Sequence, residues 1–397
     1  MPTSFLEHTH MAMQVPNDYP LSGQLKLAMC KECDFVGNIS PSGEEEYVNY
    51  YTDFNKHKSR DSDSMVRDTN YFNGLIEFMV SSTGSGLEGV SVLDYGSATG
   101  QFSSLARTAG AVQADNADVG IEMPTKEYNW IVSTHCFEHL IDPHRDIKAL
   151  ARQLAQEGHL LIAVPDLQRY PETYYGPWAH FDLEHINHFS FKSICALMES
   201  VGLNVVAHRS VDRLVGATLA YPEILVIGKR PAETDGTEFI SGGKDIEHRL
   251  SSLIARYEDD LAQTLDAIDN ILDIHRSKDP SGKTSVGFYG LSSFAFRIIN
   301  VLSLERPNLK INFYADSDSR LKGLKMGAQI KIFDRDEYEE YVAAIVSQGG
   351  RVITLIAAIN GYRILEALSL TQRPDEAMVV LLPPECQNRM EQHAVPK

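Results

Sequence analysis

The fold is decided by one short stretch of the chain, Val92-Leu-Asp-Tyr-Gly-Ser-Ala-Thr-Gly100. An apolar run ends at Asp94, a turn carries Gly96 and Gly100, and a helical pattern begins near Phe102. Glycine lets a backbone pass close to a ligand, and the N-terminus of the following helix presents unpaired N–H groups. The stretch therefore predicts a strand, a ligand-binding turn and a helix; a tight turn without a ligand is the alternative.

The sequence around this stretch alternates apolar runs with amphipathic segments from residue 65 to residue 230. Such alternation is typical of an α/β fold built on a mostly parallel sheet. The predicted helices cover 65–81, 102–108, 146–156 and 193–201, and the predicted strands cover 90–94, 130–134, 159–165, 204–207 and 223–228.

Further regions flank this α/β domain. Residues 1–60 are irregular in pattern and form a small N-terminal module. After a polar stretch over 231–244, a linker helix over 245–278 repeats apolar residues at steps of three and four. That repeat predicts a face that packs on a neighbouring domain or on a second copy of the chain, which would make a homo-oligomer. Residues 284–397 form a second, smaller α/β unit.

The charge and composition of the chain exclude several classes of function. Its 397 residues carry 36 Lys and Arg against 54 Asp and Glu, a formal net charge of −18. So acidic a surface repels nucleic-acid phosphates and anionic lipids. No apolar run reaches the roughly 18 residues of a membrane helix, the polar N-terminus lacks the layout of a secretory signal, and five cysteines do not form a disulfide framework. We expect a cytoplasmic protein with a small-molecule substrate.

The turn from Asp94 to Gly100 resembles motif I of class I S-adenosylmethionine-dependent methyltransferases. Residues 127–143 look like the fourth strand of that superfamily and the segment after it, residues 158–165 like its fifth strand, and residues 181–190 like the segment before its next helix. The resemblance implies an S-adenosylmethionine cofactor, with contacts from Asp94, Gly96, Ser97, Thr99, Gly100 and His135.

One departure concerns the acid that binds the cofactor ribose in this superfamily. Only about thirty residues separate Gly100 from Trp130, where the superfamily places a second strand, a helix and a third strand. Asp115 is the best candidate for the ribose acid, with Asp118 and Glu122 as rivals. The alternative is that all three are surface carboxylates on a shortened loop.

The flanking regions resemble a three-domain family, the sugar C-methyltransferases. The segment 25–36, which contains Cys30-Lys-Glu-Cys33, looks like half of that family's zinc-binding N-terminal module. The resemblance implies a structural zinc, which needs four ligands. These would be Cys30 and Cys33 with His8 and His10; a module without metal is the alternative.

The C-terminal unit resembles the Rossmann-like domain of the same family. The similar segments cover residues 286–290, 313–323 and 327–332. Asp316 follows the second strand of this unit, where a Rossmann-like domain often holds a ribose. A nucleotide site and a purely structural lid are both compatible with the sequence.

In the sugar C-methyltransferases a Tyr-x-Glu-His segment carries the chemistry, and here it reads Asp182-Leu-Glu-His185. The resemblance implies that His185 is the base and that Glu184 orients the substrate, whereas Asp182 replaces the tyrosine. A histidine suits this task because its pKa near 6.5 lets it accept a proton at neutral pH. In C-methylation it would deprotonate the carbon beside a keto group, and in O-methylation it would activate a hydroxyl.

Aromatic and histidine residues around this segment have more than one interpretation. Candidate contacts to a sugar or nucleobase are Tyr175, Trp178, His180 and His188, with Tyr174 beside them. The histidines at 180, 185 and 188 are also possible metal ligands. The third interpretation is that the flanking aromatic and histidine residues belong to the core.

Together these features predict a shortened Rossmann-like methyltransferase domain between a small N-terminal module and a C-terminal Rossmann-like domain. The predicted activity is methyl transfer from S-adenosylmethionine to a small metabolite, most specifically C-methylation of a nucleotide-linked sugar. One alternative is a non-catalytic binding or assembly subunit that kept the fold and lost the cofactor. The other is an O- or N-methyltransferase of a non-sugar metabolite.

Overall fold

The computed structural model describes residues 3–6, 12–54, 62–119, 125–173, 178–214, 220–231, 246–279, 282–327, 329–358 and 361–381. The strands in chain order are β1 (Thr3–Leu6), β2 (Leu27–Cys30), β3 (Val36–Asn38), β4 (Ser91–Tyr95), β5 (Gln113–Ala117), β6 (Tyr128–Thr134), β7 (Leu154–Pro165), β8 (Asn187–His188), β9 (Asn204–Leu214), β10 (Ala220–Lys229), β11 (Thr284–Tyr289), β12 (Phe313–Ala315), β13 (Lys325–Met326), β14 (Ile330–Phe333), β15 (Arg351–Ile356) and β16 (Glu376–Val380). The helices are α1 (Glu44–Asn49), α2 (Ser62–Thr83), α3 (Gln101–Thr108), α4 (Pro143–Gln153), α5 (Phe191–Glu199), α6 (Ile246–Ser277), α7 (Ser293–Glu305), α8 (Arg335–Ser347) and α9 (Gly361–Ser369).

The central unit is an α/β domain, as the alternation of patterns predicted. Its sheet has the order β5-β4-β6-β7-β10-β9. The first four strands are parallel, whereas β10 runs antiparallel to both of its neighbours. Helices α2 and α3 bury apolar side chains on one face, and α4 and α5 do so on the other. The parallel strands β4, β6 and β7 are buried on both faces, which explains their apolar sequences.

The second strand of this sheet was missing from the sequence-based prediction. The short segment after α3 forms β5, which pairs in parallel with β4 at the edge of the sheet. Its sequence, Gln113-Ala-Asp-Asn-Ala117, is mostly polar because an edge strand is only half covered. Among the described residues no helix or strand lies between β5 and β6, so the sheet is shortened as expected.

Several predicted boundaries in this domain were wrong. Helix α4 begins at Pro143, because Asp142 accepts a hydrogen bond from the Arg145 N–H and proline fits the first helical position. It ends at Gln153, and residues 154–156 already belong to β7. Strand β9 continues to Leu214 as the hairpin partner of β10, although its second half is too polar to show a strand pattern.

The N-terminal module is not irregular. Strands β1, β2 and β3 form an antiparallel sheet, and the central domain adds β8 as its fourth strand. These strands span only two to four residues each, too few for a periodic sequence pattern. The module is thus joined to the central domain by backbone hydrogen bonds.

The apolar stripe of α6 packs inside the molecule. Its side chains at 246, 250, 253, 257, 261, 265, 268 and 272 are at most 5% exposed and share one core with α7 and the C-terminal sheet. We therefore correct the expectation that this stripe joins two copies of the chain, because the chain itself already covers the stripe. None of the helices in the described part is long and apolar enough to cross a membrane.

The C-terminal unit is a second sheet with the order β13-β14-β12-β11-β15-β16. All its pairs are parallel except the short pair between β13 and β14. The order β14-β12-β11-β15-β16 is that of a Rossmann-like sheet, with strands one, two and three running from the centre to one side.

The burial of α6 predicts how two isoleucines on that helix respond to truncation. Ile268 is fully buried, whereas Ile274 is 52% exposed. We expect Ile268→Ala to lower the free energy of unfolding by about 2–5 kcal/mol, and Ile274→Ala to change it by less than about 0.5 kcal/mol. Urea unfolding followed by circular dichroism measures both, and equal effects would contradict this packing.

Candidate active site

The glycine turn after β4 is shaped by close neighbours in the chain. Gly96 and Gly100 have φ values of +79° and +67°, in the left-handed region that favours glycine. A Cβ at Gly96 would lie 2.7 Å from the Sγ of Cys136, and one at Gly100 would lie 2.7 Å from the Nδ2 of Asn116. Both glycines are therefore required by packing as well as by backbone conformation. Between them the turn is open to solvent at Ala98 and Thr99.

Asp94 lies at the base of this turn and is 3% exposed. Burial raises the pKa of its carboxyl group to about 7; the Ser103 hydroxyl, 3.4 Å from Oδ2, opposes the rise, and the charge of Asp118 adds to it. At neutral pH this carboxyl group is consequently close to its midpoint of ionisation.

Asp118, and not Asp115, faces the glycine turn. Oδ1 of Asp118 accepts hydrogen bonds from the Ala98 N–H at 3.3 Å and the Ser97 hydroxyl at 3.5 Å. The Asp115 carboxylate instead accepts from the Tyr128 hydroxyl at 2.8 Å and the Lys126 ammonium at 3.0 Å. Asp115 thus belongs to the sheet edge, whereas Asp118 is next to the turn; which of them contacts the ribose stays a prediction. The third rival, at position 122, lies outside the described residues.

His135 follows β6 and is clamped between two buried carboxylates. Its Nδ1 lies 3.0 Å from Oε1 of Glu138, and its Nε2 lies 2.7 Å from Oε1 of Glu223. Burial and Arg213 lower the pKa of this histidine, but the two carboxylates outweigh them and the net shift is upward. Both ring nitrogens are thus engaged within the protein, so a cofactor contact from them, as the sequence suggested, would break an existing hydrogen bond.

The predicted catalytic segment is fastened to the turn that follows His135. This 3₁₀ turn covers Phe137–His139. The side-chain amide of Asn187 donates to the carbonyls of Phe137 at 3.0 Å and Leu140 at 2.6 Å, and the Ile186 N–H donates to the Glu138 carbonyl at 2.9 Å. These hydrogen bonds place His185 beside Glu138 and His139.

Glu138, His139 and His185 form a cluster whose ligand-type atoms lie within 4.8 Å of one another. Nδ1 of His139 donates to the Glu184 carbonyl at 2.9 Å, which leaves Nε2 facing Oε1 of Glu138 at 3.9 Å. Oε2 of Glu138 and Nδ1 of His185 are buried and have no hydrogen-bond partner among the described residues. In the part of the chain that the structure describes, this is the group of three that could hold a metal ion.

The charges within the cluster are unequal. Burial raises the pKa of Glu138, but the bond from His135 and the nearby histidines lower it more, to about 2, so the group is an anion at neutral pH. Burial lowers the pKa of His139, and the charges of Glu138 and Glu184 only partly offset this. His139 is accordingly neutral, and one buried negative charge faces the His185 ring.

Sequence reasoning found His185 but missed its two partners. Both partners lie in the stretch Cys136-Phe-Glu-His139, which the sequence analysis took only as an indication of the fold. A Glu-His pair directly after a buried parallel strand lies at the carboxyl edge of the sheet, where ligands bind in such folds. The position of Glu138 and His139 after β6 could therefore have indicated that they belong to the site.

A family profile described as a methyltransferase domain matches residues 57–208. The matched range contains the glycine turn, the 3₁₀ turn and the segment with His185. Within these residues the chain carries a methyltransferase domain.

The chain is also similar, over part of its length, to several known proteins. The C-methyltransferase NovU of Streptomyces niveus is 30% identical over 110 residues, which cover 26% of this chain and 25% of NovU. The chain thus spans about a quarter of the length of that relative. Similar solved structures include N-methyltransferase NodS from Bradyrhizobium japonicum WM9 in complex with S-adenosyl-L-homocysteine, at 13% identity and a TM-score of 0.34 over 46% of this chain and 99% of that chain. An S-adenosylmethionine-dependent methyltransferase from Mesorhizobium loti is 11% identical, with a TM-score of 0.33 over 40% of this chain and 100% of that chain.

Three predicted substrate contacts of the methyltransferase domain are core residues. His180 stacks on Tyr170 at 4.1 Å and donates to the Thr173 carbonyl, and burial lowers its pKa to about 4. His188 lies in β8, where its Nδ1 meets the Tyr170 hydroxyl at 3.1 Å. Trp178 is fully buried. These assignments are corrected, and a metal site built on His180 and His188 falls with them; positions 174 and 175 lie outside the described residues.

Cys30 and Cys33 are the described half of the predicted zinc site. Both are free thiols, and burial raises the pKa of Cys33 to about 11. Among the described residues they belong to no group of three metal ligands. Positions 8 and 10, which the sequence offers as the other two ligands, lie outside the described residues, so the zinc site stays a prediction.

Asp316 of the C-terminal unit lies directly after β12. Its two carboxylate oxygens accept backbone N–H groups of Leu291 and Asp318. Each oxygen has a second acceptor site, so this carboxylate can also accept a hydrogen bond from a ligand hydroxyl. The nucleotide site and the structural lid are therefore both compatible with this geometry.

The raised pKa of Asp94 predicts a pH-dependent gain from its neutral isostere. The folded state holds this proton up to about pH 7, whereas the ordinary pKa is 3.8, so wild-type stability falls as pH rises between these values. We expect Asp94→Asn to stabilise the fold at pH 8 by up to about 4 kcal/mol, with no gain below about pH 4. Thermal unfolding across this range measures the difference.

Asp115→Asn is the matched control for this experiment. The hydrogen bonds from Tyr128, Lys126 and Gln113 outweigh burial and lower the pKa of Asp115, so this variant has the opposite sign. It should be less stable than wild type at pH 8 and approach it as the pH falls below 4. The same pH dependence in both variants would contradict the two environments.

Proposed function

We propose that this chain transfers a methyl group from S-adenosylmethionine to a small acceptor, with His185 as the general base. The observation that carries the proposal is the convergence of His185, His139 and the buried Glu138. This cluster begins two residues after Cys136, whose side chain packs against Gly96 of the glycine turn. Base and cofactor turn are therefore neighbours, as methyl transfer requires.

The residues around the glycine turn fit S-adenosylmethionine. Ala98 and Thr99 are exposed, the N-terminus of α3 opens beside them, and Asp118 supplies a carboxylate where β5 ends. We assign the contact to the ribose hydroxyls to Asp118, because a carboxylate accepts hydrogen bonds from two donors. When bound, the cofactor supplies a methyl group activated by its sulfonium sulfur.

His185 accepts the proton that the acceptor loses during the transfer. The imidazolium that forms lies near the ionised carboxylate of Glu138, and this attraction in a buried environment stabilises the charged ring. His139 does not offer Nδ1 as a base, because that nitrogen donates to the Glu184 carbonyl. The acceptor atom must then lie roughly 3 Å from the methyl group, in line with the bond that breaks.

Tyr50 lies beside the glutamate of the predicted catalytic segment. Its hydroxyl donates to Oε1 of Glu184 at 2.5 Å, and the ring of Tyr51 packs edge-on against His139 at 5.7 Å. Asp182, at the family's tyrosine position, instead accepts the N–H groups of Glu184 and His185. We therefore assign to Tyr50, from the N-terminal module, the substrate-orienting role that the resemblance gives to the family's tyrosine.

A nucleotide-linked sugar is the acceptor that this arrangement supports best, with C-methylation as the reaction. The support is threefold: the order of the three parts resembles the sugar C-methyltransferases, NovU is a partial relative, and the ring of Tyr221 lies 6.4 Å from that of His185. A carbon beside a keto group becomes a nucleophile only when a base removes its proton. His185 would remove that proton, and Glu138 would stabilise the charged ring. With the cofactor bound, the enolate carbon would form the new bond to the methyl group while the C–S bond breaks with its electron pair on sulfur, giving S-adenosylhomocysteine, and the proton would remain on His185.

The role of His185 is tested by His185→Asn. We expect the turnover number to fall by about 10²–10⁴-fold, because a general base contributes that much, while cofactor affinity stays near the wild-type value. Transfer of radiolabelled methyl groups to keto-sugar nucleotides measures turnover, and isothermal titration with S-adenosylmethionine measures binding. His144→Asn, at an exposed histidine, is the control and should behave as wild type.

The outcomes of this experiment separate the candidate functions. Unchanged turnover in His185→Asn would remove its role as base. Wild-type protein that binds no S-adenosylmethionine would favour the non-catalytic subunit. Turnover with hydroxyl or amine acceptors alone would favour O- or N-methylation.

Removal of metal should not affect the reaction. The proposed chemistry uses side-chain groups, and the described residues leave Cys30 and Cys33 without further zinc ligands. We expect dialysis against EDTA to leave turnover and the melting temperature unchanged, and elemental analysis to find substoichiometric zinc. Activity that is lost with EDTA and restored by zinc or another divalent cation would contradict both expectations.

A further inference from the structure

Arg297 of helix α7 is a fully buried cation at the junction of the C-terminal unit with the methyltransferase domain. Its Nη2 donates to the Phe181 carbonyl at 3.1 Å, and its guanidinium lies 5.1 Å from the centre of the Trp178 ring. Tyr257 of α6 packs on the same tryptophan at 5.3 Å. Helices α6 and α7 thus meet the segment before His185 at this point.

The burial of this charge is costly. Nε and Nη1 of Arg297 have no hydrogen-bond partner among the described residues. Unpaired buried donors cost about 1–3 kcal/mol each, and an apolar side chain of similar size is often more stabilising in such a position. Burial lowers the pKa of Arg297 to about 9, against the raising effect of Asp182. Packing alone therefore does not account for an arginine here.

The charge acts on the residue that shapes the catalytic segment. Asp182 follows Phe181 directly, and its Oδ1 accepts the N–H groups of Glu184 at 2.9 Å and His185 at 2.7 Å. Arg297 holds the carbonyl on one side of Asp182 and attracts its carboxylate. These contacts connect α7 with the backbone of His185 through a single intervening side chain.

We propose that Arg297 is a positioning residue: through Phe181 and Asp182 it fixes the orientation of the His185 ring and makes the C-terminal unit part of the active site. The kinetic part of this proposal rests on the proposed function, in which His185 is the base. The structural part, that Arg297 sets the environment of the His185 ring, does not require turnover.

The test compares Arg297→Met with Arg297→Lys and a matched control. Methionine keeps the apolar stem, and lysine keeps the charge but loses the planar fork. Arg306→Met is the control, because Arg306 lies at the end of the same helix and contacts Asp269 of α6 away from the site. We expect Arg297→Met to melt near the wild-type temperature, to bind S-adenosylmethionine normally, and to lose about 10²-fold in kcat with little change in the acceptor KM, as for a misplaced base.

Arg297→Lys should recover part of kcat, and Arg306→Met should equal wild type. A loss of kcat that accompanies a lower melting temperature, with no recovery in the lysine variant, would overturn the proposal in favour of a structural role. Unchanged kcat in Arg297→Met would overturn it as well. If the methionine variant does not fold, the lysine variant carries the comparison, with an expected intermediate loss of kcat.

A second readout separates this proposal from the proposed function. In protein with ¹³C-labelled histidine, the His185 ring signals, assigned with His185→Asn, should shift in Arg297→Met, while those of the exposed His208 stay in place. If the wild-type protein transfers no methyl group, the proposed function is rejected. A shift of the His185 signals in Arg297→Met would still retain the positioning role. Unmoved His185 signals would reject the positioning role even in an active enzyme.

Discussion

The carboxylate of Glu138 is buried in the methyltransferase domain and remains ionised because histidines surround it. His135 donates to one oxygen, and the rings of His139 and His185 lie close by. An unpaired buried carboxylate would instead take up a proton. The position of the segment 181–188 thus depends on this one charge, since His185 approaches an anion that His135 already compensates from the other side.

The segment 181–188 receives contacts from every part of the molecule. The N-terminal module pairs β3 with β8 and donates the Tyr47 hydroxyl to the Leu183 carbonyl at 2.8 Å. The C-terminal unit donates from Arg297 to Phe181, and the methyltransferase domain holds the segment through Asn187. A short irregular segment has no internal hydrogen-bond ladder, so its conformation is set by such outside partners. The N-terminal module and the C-terminal unit therefore both help to set the conformation of this segment.

How far the fold could be predicted depended on burial. Central strands such as β4, β6 and β7 are covered on both faces, and their apolar runs predicted them correctly. Strand β5 escaped detection because an edge strand keeps polar residues such as Gln113 and Asn116. The strands of the N-terminal module were missed because they are too short to repeat a pattern. Length and exposure, more than propensity, limited the prediction.

Some residues of the candidate site could be predicted from their neighbours along the chain, and others only from contacts between distant segments. His185 was found because its neighbours along the chain form a motif. The proposed choice of Asp118 over Asp115 required the direction of two side chains three residues apart, one within the edge strand β5 and one directly after it. Alternation along the strand assigns these directions only when its end and its register are known. Arg297 lies in the apolar run Phe294-Ala-Phe-Arg-Ile-Ile299. A single charge in such a run indicates a buried arginine with a specific role, but the sequence does not identify the group that it contacts. That partner is 116 residues away along the chain, and only packing of the units brings the two together.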